Sequence, residues 1–378
     1  MASKRITLAD IARADGTHVT TVSLAMRNSP KLPEATRRRI QELAEKMGYR
    51  PDPVLRALVS YREGAREHYD RKTLAYVTNW TTRWGWKDVT AHPQFFDGAK
   101  AAAERLGYRL EHYWLREPGL SHGRLSRILN SRGIDGLIIA SHAREMEDSL
   151  ALDWEHFAAV KIDFFPHYPT LNNVTNNQCG IMRLAMRKVL EAGYTRIGCI
   201  MHRGWDLSVD RMWTAGYLVE QQQIPETSRL PVCLFPAYHP VDTWIHENQS
   251  TVQIDATRLR RWLDAWQPEV IITNGIFVRD AIEELGLRVP RDVCLVDLFL
   301  DRFDGTVAGV QQNHDEVGAA AISLLAGQLT QNIRGIPRIP TTTFIEGTWH
   351  DGATLPLRRR RQPAVGVPEE AAVPLEAE

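Results

Sequence analysis

Cysteine and long apolar runs are both scarce in this 378-residue sequence. The four cysteines, Cys179, Cys199, Cys233 and Cys294, lie far apart, and none belongs to a C-x-x-C pair. Such spacing favours reduced thiols over a disulfide framework and gives no indication of a zinc site. No apolar run reaches the roughly 18 residues that a membrane span needs, and the N-terminus lacks the apolar core of a signal peptide. We therefore expect a cytoplasmic protein that has no membrane partner.

The common motifs of enzymes are also absent from the sequence. Neither G-x-S-x-G nor G-x-x-x-x-G-K-[ST] occurs, and no nucleophile and base have the spacing of a known enzyme family. The 13 histidines are scattered, which favours surface or core roles over metal binding. We predict that the protein is not an enzyme and that it has no catalytic residue, no metal and no cofactor.

Charge is balanced over the whole chain but not along it. The chain has 46 basic and 46 acidic residues, whereas residues 1–62 alone have 12 basic and 6 acidic ones. The remaining residues therefore carry 34 basic and 40 acidic side chains. A small basic module joined to a larger acidic one is the distribution expected when only one end of a protein contacts phosphates. Nucleic acid is thus a candidate partner of the N-terminal end.

Three short amphipathic helices are predicted between Thr7 and Gly48, because apolar residues there recur at i, i+3 and i+4. Thr7 and Asp10 have the spacing of a capping box, which fixes the start of the first helix. Asp15-Gly16-Thr17 would join the first two helices at a steep angle, as in a helix-turn-helix whose second helix lies in the major groove. The residues that would then face base edges are His18, Val19, Thr20 and Thr21. A purely structural three-helix core is the alternative, which the basic excess disfavours.

Beyond residue 72, apolar strand runs alternate with helical stretches. Examples are LAYVTN at 74–79, GLIIA at 136–140, RIGCIM at 196–201 and DVCLVDLF at 292–299. Such alternation predicts parallel sheets that are covered on both faces by helices. The repeated units are too many for one sheet, so we expect two α/β subdomains.

Residues 6–58 resemble the N-terminal head of the lactose-repressor/galactose-repressor (LacI/GalR) regulators. The stretches ITLADIARADGTHVTTVSLAMRN and KLPEATRRRIQELAEKMGYRPDPVLRAL follow the family pattern almost without gaps. The resemblance implies a helix-turn-helix head with a hinge segment at 51–60 that binds double-stranded operator DNA as a homodimer. Phosphate contacts are implied for Thr7, Thr21, Ser23, Thr36 and Tyr49. Base contacts are implied for Val19 and Thr20, and a wedge in the minor groove is implied for Leu58.

The head departs from the family pattern at positions that determine operator sequence. Thr17-His18 replaces the usual Val-Ser, Leu24 the usual Arg, Arg27 the usual Asn, and 52–55 (DPVL) the hinge N-x-x-A. Leu24 cannot form the bidentate hydrogen bonds with which arginine reads guanine, so the operator sequences of the family do not carry over. His18 and Arg27 are included among the candidate DNA-binding residues.

The body resembles type I periplasmic sugar-binding proteins more weakly, through residues 176–180 and 191–198. This resemblance implies two α/β subdomains, three crossovers near 172–177, 301–307 and 334–341, and an effector cleft. The candidate effector-binding residues are Trp80, Phe95, Phe96, Asp163, Arg211, Asn274 and Phe299. Aromatic planes pack against sugar C–H faces, which favours a saccharide. Ordinary core packing is an equal alternative for the aromatic residues that follow the first strand.

Two of the cleft positions depart from the family pattern. Arg211 lies five residues before Gly216, whereas the ligand arginine of the family lies three before its glycine. Residues 297–299 (DLF) replace the family's G-[FY]-D, with loss of the carboxylate that binds sugar hydroxyls. We therefore expect a pocket of altered chemistry.

These observations predict an α/β protein with a three-helix helix-turn-helix head and a periplasmic-binding-protein-like body of two α/β subdomains. We expect the head with its hinge at 1–60, a linker at 61–72, the effector-binding and dimerisation domain at 73–350, and a disordered tail at 351–378. The first subdomain would comprise about 73–173 and 304–335, and the second about 176–301 and 338–350. The predicted function is transcriptional repression under the control of a small-molecule effector, a saccharide. The alternative is a cytoplasmic sugar-binding or carbohydrate-modifying protein with an appended DNA-binding head.

Overall fold

The computed structural model describes residues 6–26, 29, 31–49, 72–142, 149–164, 168–236, 254–275 and 277–358. Arg27 and the predicted hinge with Leu58 lie outside these residues. Contacts divide the chain into two units. The first comprises the described parts of Met1–Asn177 and Asn313–Glu346, and the second those of Gln178–Pro240, Ile245–Gln312 and Gly347–Glu378.

The N-terminal residues of the first unit form the predicted three-helix head. Its helices are α1 (Leu8–Asp15), α2 (Val19–Met26) and α3 (Glu34–Lys46). The capping box is formed as predicted, since Thr7 Oγ1 accepts from the Asp10 amide at 3.3 Å and Asp10 Oδ2 accepts from the Thr7 amide at 3.0 Å. Gly16 ends α1 with φ of +70°, a conformation that glycine adopts at little cost. Six buried apolar residues join the helices: Ile11, Ala12, Val22, Ala25, Ile40 and Ala44.

The rest of the first unit is built on a six-stranded parallel sheet of order β11-β5-β4-β3-β1-β2. Its strands are β1 (Thr73–Asn79), β2 (Arg109–Trp114), β3 (Gly136–His142), β4 (Ala158–Ile162), β5 (Asn172–Asn176) and β11 (Thr342–Ile345). Its helices are α4 (Ala91–Arg105), α5 (His122–Ser131) and α11 (His314–Gln331). Strands β1 and β3 are almost wholly buried, because helices cover a parallel sheet on both faces.

The second unit contains another six-stranded sheet, of order β12-β10-β9-β8-β6-β7, in which only β12 runs antiparallel to its neighbour. Its strands are β6 (Ile197–His202), β7 (Val232–Phe235), β8 (Val270–Thr273), β9 (Cys294–Asp297), β10 (Ala308–Gln311) and β12 (Thr348–His350). Its helices are α6 (Gln178–Glu191), α7 (Arg203–Ser208), α8 (Met212–Gln221), α9 (Ala256–Trp266) and α10 (Phe277–Glu284). The two sheets confirm the prediction of two α/β subdomains.

The chain passes between the units later than the sequence predicted. Strand β10 pairs with β9, so residues 308–311 belong to the second sheet rather than to the first subdomain. Strand β11 pairs with β5, so residues 342–345 belong to the first sheet rather than to the second subdomain. Both strands have only four residues, which gives little alternation from which to predict them.

Residues 351–358, which were predicted to belong to a disordered tail, are instead part of the second unit. Thr354 and Leu355 are buried, and Thr354 Oγ1 accepts a hydrogen bond of 2.9 Å from the Ala308 amide. The remainder of the predicted tail, 359–378, lies outside the described residues. None of the described helices combines the length and apolar character that crossing a membrane requires.

Candidate DNA-binding and ligand-binding sites

Helix α2 has the surface expected of a helix that reads DNA. Val22 and Ala25 are buried in the core of the head, whereas His18, Val19 and Thr20 are exposed at the start of the helix, with 40% of Val19 accessible. Thr21 and Ser23 are half-buried on the same helix. No charged side chain lies in the first or last turn of α2. Contacts of this surface with bases would therefore rely on methyl groups, hydroxyls and the His18 imidazole.

His18 and Thr20 are hydrogen-bonded to each other at the N-terminus of α2. The Thr20 hydroxyl lies 2.8 Å from His18 Nδ1, and the Thr20 amide donates to the same nitrogen at 3.4 Å. The His18 side chain therefore satisfies one of the free amide groups of the first turn, which is the task of a helix N-cap.

The residues predicted to contact phosphates lie in different parts of the head. Thr7 is exposed, but its hydroxyl is already engaged, since it donates to Asp10 Oδ2 at 2.7 Å. Thr36 is half-buried on α3. Tyr49 follows α3 and packs on the core of the head, and its amide donates to the Ala44 carbonyl at 3.0 Å. The Thr7 capping box places a carboxylate beside one of the predicted phosphate contacts.

Several basic side chains of the head have acidic partners. Arg39 pairs with Asp15, whose side chain is almost fully buried. Arg38 pairs with Glu34 at 2.8 Å, and Arg13 pairs with Asp10 at 3.3 Å. The positive charge that the head offers to phosphates is therefore smaller than the count of basic residues indicates.

The three aromatic candidates of the first unit lie in packed surroundings. Trp80 directly follows β1, is 5% exposed and meets the ring of His92 edge-on at 5.2 Å between centroids. Phe95 is buried on α4 and meets His314 edge-on at 5.1 Å. Phe96 packs edge-on against Tyr76 at 5.0 Å. Each aromatic ring thus has a structural role, which was the alternative interpretation.

Asp163 lies directly after β4, with φ of +82°. Its Oδ1 accepts from the Phe164 amide at 2.8 Å. Burial raises the pKa of this carboxyl, whereas the Phe164 amide and the ammonium of Lys161 oppose that rise. Burial in turn lowers the pKa of Lys161 to about 8. The end of β4 therefore holds an acidic and a basic group in surroundings that disfavour charge.

Other polar residues, on the neighbouring strands β1 and β3, were missed by the sequence interpretation. Asn79 ends β1 and places its Nδ2 at 3.3 Å from the imidazole of His142, which ends β3. The hydroxyls of Tyr76 and Ser141 are buried without a well-formed hydrogen bond among the described residues. Ligands of parallel sheets bind at the carboxyl ends of the strands. A polar residue at the end of a predicted strand could therefore have been recognised as a candidate from the sequence.

The candidates of the second unit occupy three different loops. Arg211 precedes α8 with φ of +58°, and its amide donates to the Asp206 carbonyl at 2.7 Å. Asn274 follows β8 and is buried, and its Oδ1 has no hydrogen-bond partner among the described residues. Phe299 is half-buried, and its amide donates to Asp297 Oδ1 at 2.8 Å. Asn274 is therefore the candidate whose side-chain oxygen is buried and could accept a hydrogen bond from a ligand.

Asp297 places a carboxyl group two residues before the position at which the family pattern has its carboxylate. It ends β9 and is 7% exposed. Burial raises its pKa to about 7, although the amides of Phe299 and Gly275 oppose the rise. The motif comparison missed it because the carboxylate lies two residues earlier than the family pattern places it. In the described part of the chain, no group of three or more metal-ligating side chains is present.

Comparison with known families gives two matches. Residues 7–52 match the family of bacterial regulatory proteins, lacI family, and residues 186–354 match the periplasmic binding protein-like domain. A relative, the HTH-type transcriptional regulator IpsA of Corynebacterium glutamicum, is 26% identical over 313 residues, which cover 79% of this chain and 83% of IpsA.

Solved structures with a similar fold include the following two. The lac repressor dimer bound to operator and the anti-inducer ONPF superimposes with a TM-score of 0.52 at 17% identity, covering 93% of this chain and 100% of the repressor chain. The LacI family transcriptional regulator CCPA from Weissella paramesenteroides, with bound glucose, gives a TM-score of 0.52 at 13% identity, covering 76% of this chain and 99% of that chain. Both likenesses concern the fold.

Proposed function

The chain belongs to the LacI family of bacterial transcriptional regulators, and from this premise we propose that it represses transcription as a homodimer on a two-fold symmetric operator. In this proposal a small-molecule effector, a saccharide, controls the affinity for DNA. The exposed start of α2, with His18, Val19 and Thr20 outside the core of the head, carries the proposal.

The contacts with DNA divide into two kinds. Val19 offers methyl groups to thymine and Thr20 offers a hydroxyl to base edges, so these two residues would determine sequence. Phosphate contacts from the predicted set, Thr7, Thr21, Ser23, Thr36 and Tyr49, would fix the position of the head on the duplex. For Thr7 this contact requires the hydroxyl to turn from Asp10 Oδ2 to the phosphate. We extend the proposal to Arg27 as a DNA-contacting residue and to Leu58 as the minor-groove wedge, on the sequence resemblance alone.

The effector is proposed to bind at the carboxyl ends of the body strands. Asp163 is the proposed effector contact in the first unit, where Trp80, Phe95 and Phe96 are further candidates. Arg211, Asn274 and Phe299 are the proposed contacts in the second unit. The buried acceptor of Asn274 suits a ligand that carries hydroxyl donors. The effector can change DNA affinity only by its differential affinity for two states, typically about 1 to 3 kcal/mol.

Selection of binding sites from a random DNA library tests the proposal. A dimer should select a two-fold symmetric site of roughly one and a half to two helical turns, because symmetric heads require symmetric half-sites. Recovery of single asymmetric half-sites would contradict the dimer. Equal binding to the selected site and to random DNA in a gel shift would instead support the alternative of a sugar-binding protein with an appended head. A genomic search with the selected site then identifies the genes from which the saccharide can be inferred.

A further inference from the structure

We propose that His18 fixes the Thr20 hydroxyl as a hydrogen-bond acceptor toward the operator, so that Thr20 reads an exocyclic amino group. His18 would act as a positioning residue, because its effect on base preference passes through Thr20. The inference rests on the proposed function, since it assumes that α2 lies in the major groove.

The first step concerns the protonation of the His18 ring. A neutral imidazole has one nitrogen that donates and one that accepts. The Thr20 backbone amide can only donate, and it points at His18 Nδ1 from 3.4 Å. A proton on Nδ1 would therefore face another proton, whereas an unprotonated Nδ1 caps the amide. The backbone thus selects the tautomer with its proton on Nε2.

The second step follows for the Thr20 side chain. Its Oγ1 lies 2.8 Å from the same Nδ1, at the length of a good hydrogen bond. Because Nδ1 carries no proton, the hydroxyl must donate to it. The single proton of the hydroxyl is then engaged, and two lone pairs remain. Exposed Thr20 can therefore accept from a base edge but cannot donate to one.

The third step is the consequence for base recognition. In the major groove, adenine N6 and cytosine N4 are donors, whereas guanine O6 and thymine O4 are acceptors. A Thr20 oxygen that can only accept forms a hydrogen bond with the amino group of adenine or cytosine. Opposite the carbonyl oxygen of guanine or thymine, it meets lone pairs and is repelled. A threonine with a freely rotating hydroxyl can bond to either. His18, which stands where the family usually has serine, would thus make Thr20 selective.

The test compares His18 variants at one position of the selected operator. That position is the symmetric pair at which Thr20→Val, which replaces the hydroxyl by a methyl group of similar size, abolishes the preference between amino and carbonyl bases. Adenine is then exchanged for guanine, or cytosine for thymine, because each exchange replaces an amino group by a carbonyl. The ratio of the two affinities is measured for the wild type, for His18→Ala, and for His18→Asn, whose Oδ1 can accept in place of Nδ1. The ratio separates base preference from a general loss of affinity, and circular dichroism checks that each head is folded.

The wild type should prefer the amino base by about tenfold, which lies in the lower part of the range that one mismatched base pair costs. His18→Ala should lower the ratio to nearly one, and His18→Asn should restore most of it. A wild-type preference for guanine or thymine at this position, or an unchanged ratio in a folded His18→Ala, overturns the inference alone. Failure of the wild type to select any symmetric site overturns the proposed function and this inference together.

Discussion

The side-chain amides of Gln178 and Gln312 are joined by a hydrogen bond of 2.9 Å, although the residues are 134 positions apart. Gln178 is the first residue after the chain enters the second unit, and Gln312 is the last before it leaves. The Trp213 indole donates to Gln178 Oε1 at 2.7 Å, and Gln312 Nε2 donates to the Leu298 carbonyl at 2.8 Å. Within the second unit, the ends of two crossovers are thus held together by a buried network.

Gln178→Ala should destabilise the second unit by about 1 to 3 kcal/mol, because it leaves the buried Trp213 N–H without its acceptor and removes the hydrogen bond to Gln312 Oε1. Gln178 itself is 4% exposed, so water cannot readily replace the amide. Urea unfolding followed by circular dichroism measures the effect. Gln223→Ala, at an exposed position outside the network, is the matched control and should lie within about 0.5 kcal/mol of the wild type. Equal midpoints for the two variants would contradict the prediction.

The contact between α4 and α11 should not accept a single added methyl group. A Cβ on Gly318 would lie 2.0 Å from the Phe95 carbonyl oxygen, which belongs to the backbone and cannot rotate away. Gly318→Ala should therefore cost at least about 1 to 3 kcal/mol, as overpacking does. A Cβ on Gly327, in the same helix, would meet nothing within 4 Å, so Gly327→Ala should stabilise by about 0.5 to 1 kcal/mol. Melting temperatures that move in the same direction would disprove this assignment of the contact.

Asp297 should make stability depend on pH between about 4 and 7. Burial raises its pKa to about 7, so in this range the folded protein holds a proton that the unfolded chain has released. Stability should therefore fall as pH rises through the range, by about 2 to 4 kcal/mol, and then level off. Asp297→Asn cannot ionise but retains an oxygen for the Phe299 amide, and should lose this part of the dependence.

The measurement for Asp297 is urea unfolding at several pH values from 4.5 to 8. Asp264→Asn, an exposed position in the same unit, serves as the control and should keep the wild-type profile. Parallel profiles for the wild type and Asp297→Asn would show that the Asp297 carboxyl ionises freely in the folded protein.

The head could be predicted almost completely from sequence because its determinants are local. The i, i+3 and i+4 spacing of Ile11, Val22 and Ile40, together with the capping box of Thr7, sets helices whose partners lie within about forty residues. The charge of the head was less predictable. The pairing of Arg39 with Asp15 joins residues 24 positions apart, and a count of basic residues does not show it.

The sequence predicted the fold class of the body. It did not predict where the subdomains begin and end, or which polar residues lie at the strand ends. Long buried strands such as β1 and β3 show in the sequence as apolar runs, whereas the four-residue β10 and β11 depend on partners that are distant along the chain. The same dependence on tertiary structure explains why the motif comparison did not single out Asp297. A motif comparison aligns residues by position, but the carboxylate lies where β9 ends beside β8, and that pairing is a tertiary feature.

Thr20 and Tyr49 should differ in how they affect DNA binding. Thr20→Ala should change base preference at one symmetric pair of positions by about 1 to 3 kcal/mol, because it removes a base contact. Tyr49→Phe keeps the ring that packs on the head core and removes only the hydroxyl, so it should weaken all sequences about equally. Binding to a library of single-base operator variants distinguishes the two patterns. Uniform behaviour of both variants would mean that α2 is not the recognition helix.

The C-terminal boundary of the folded protein should lie at Arg358. Its guanidinium pairs with Glu269 and lies 4.3 Å from the centre of the Tyr194 ring, and its amide donates to the Ala192 carbonyl at 3.0 Å. Although burial would raise the pKa of Glu269, the amides of Arg196 and Thr195 and the charge of Arg358 lower it. The contribution of Glu269 should therefore be present above about pH 4.5 and be lost as pH falls below it.

Two truncated chains test this boundary. A chain of residues 1–360 keeps Arg358 and separates it from the new terminal carboxylate, and it should melt at the wild-type temperature. A chain of residues 1–357 loses the ion pair and the cation–π contact, which together contribute about 1 kcal/mol because both are partly exposed. Full-length Arg358→Ala should reproduce most of that loss, which separates the side chain from the length of the tail. A large loss in the 1–360 chain would show that residues beyond 360 also dock on the folded protein, and the boundary would then lie nearer to residue 378.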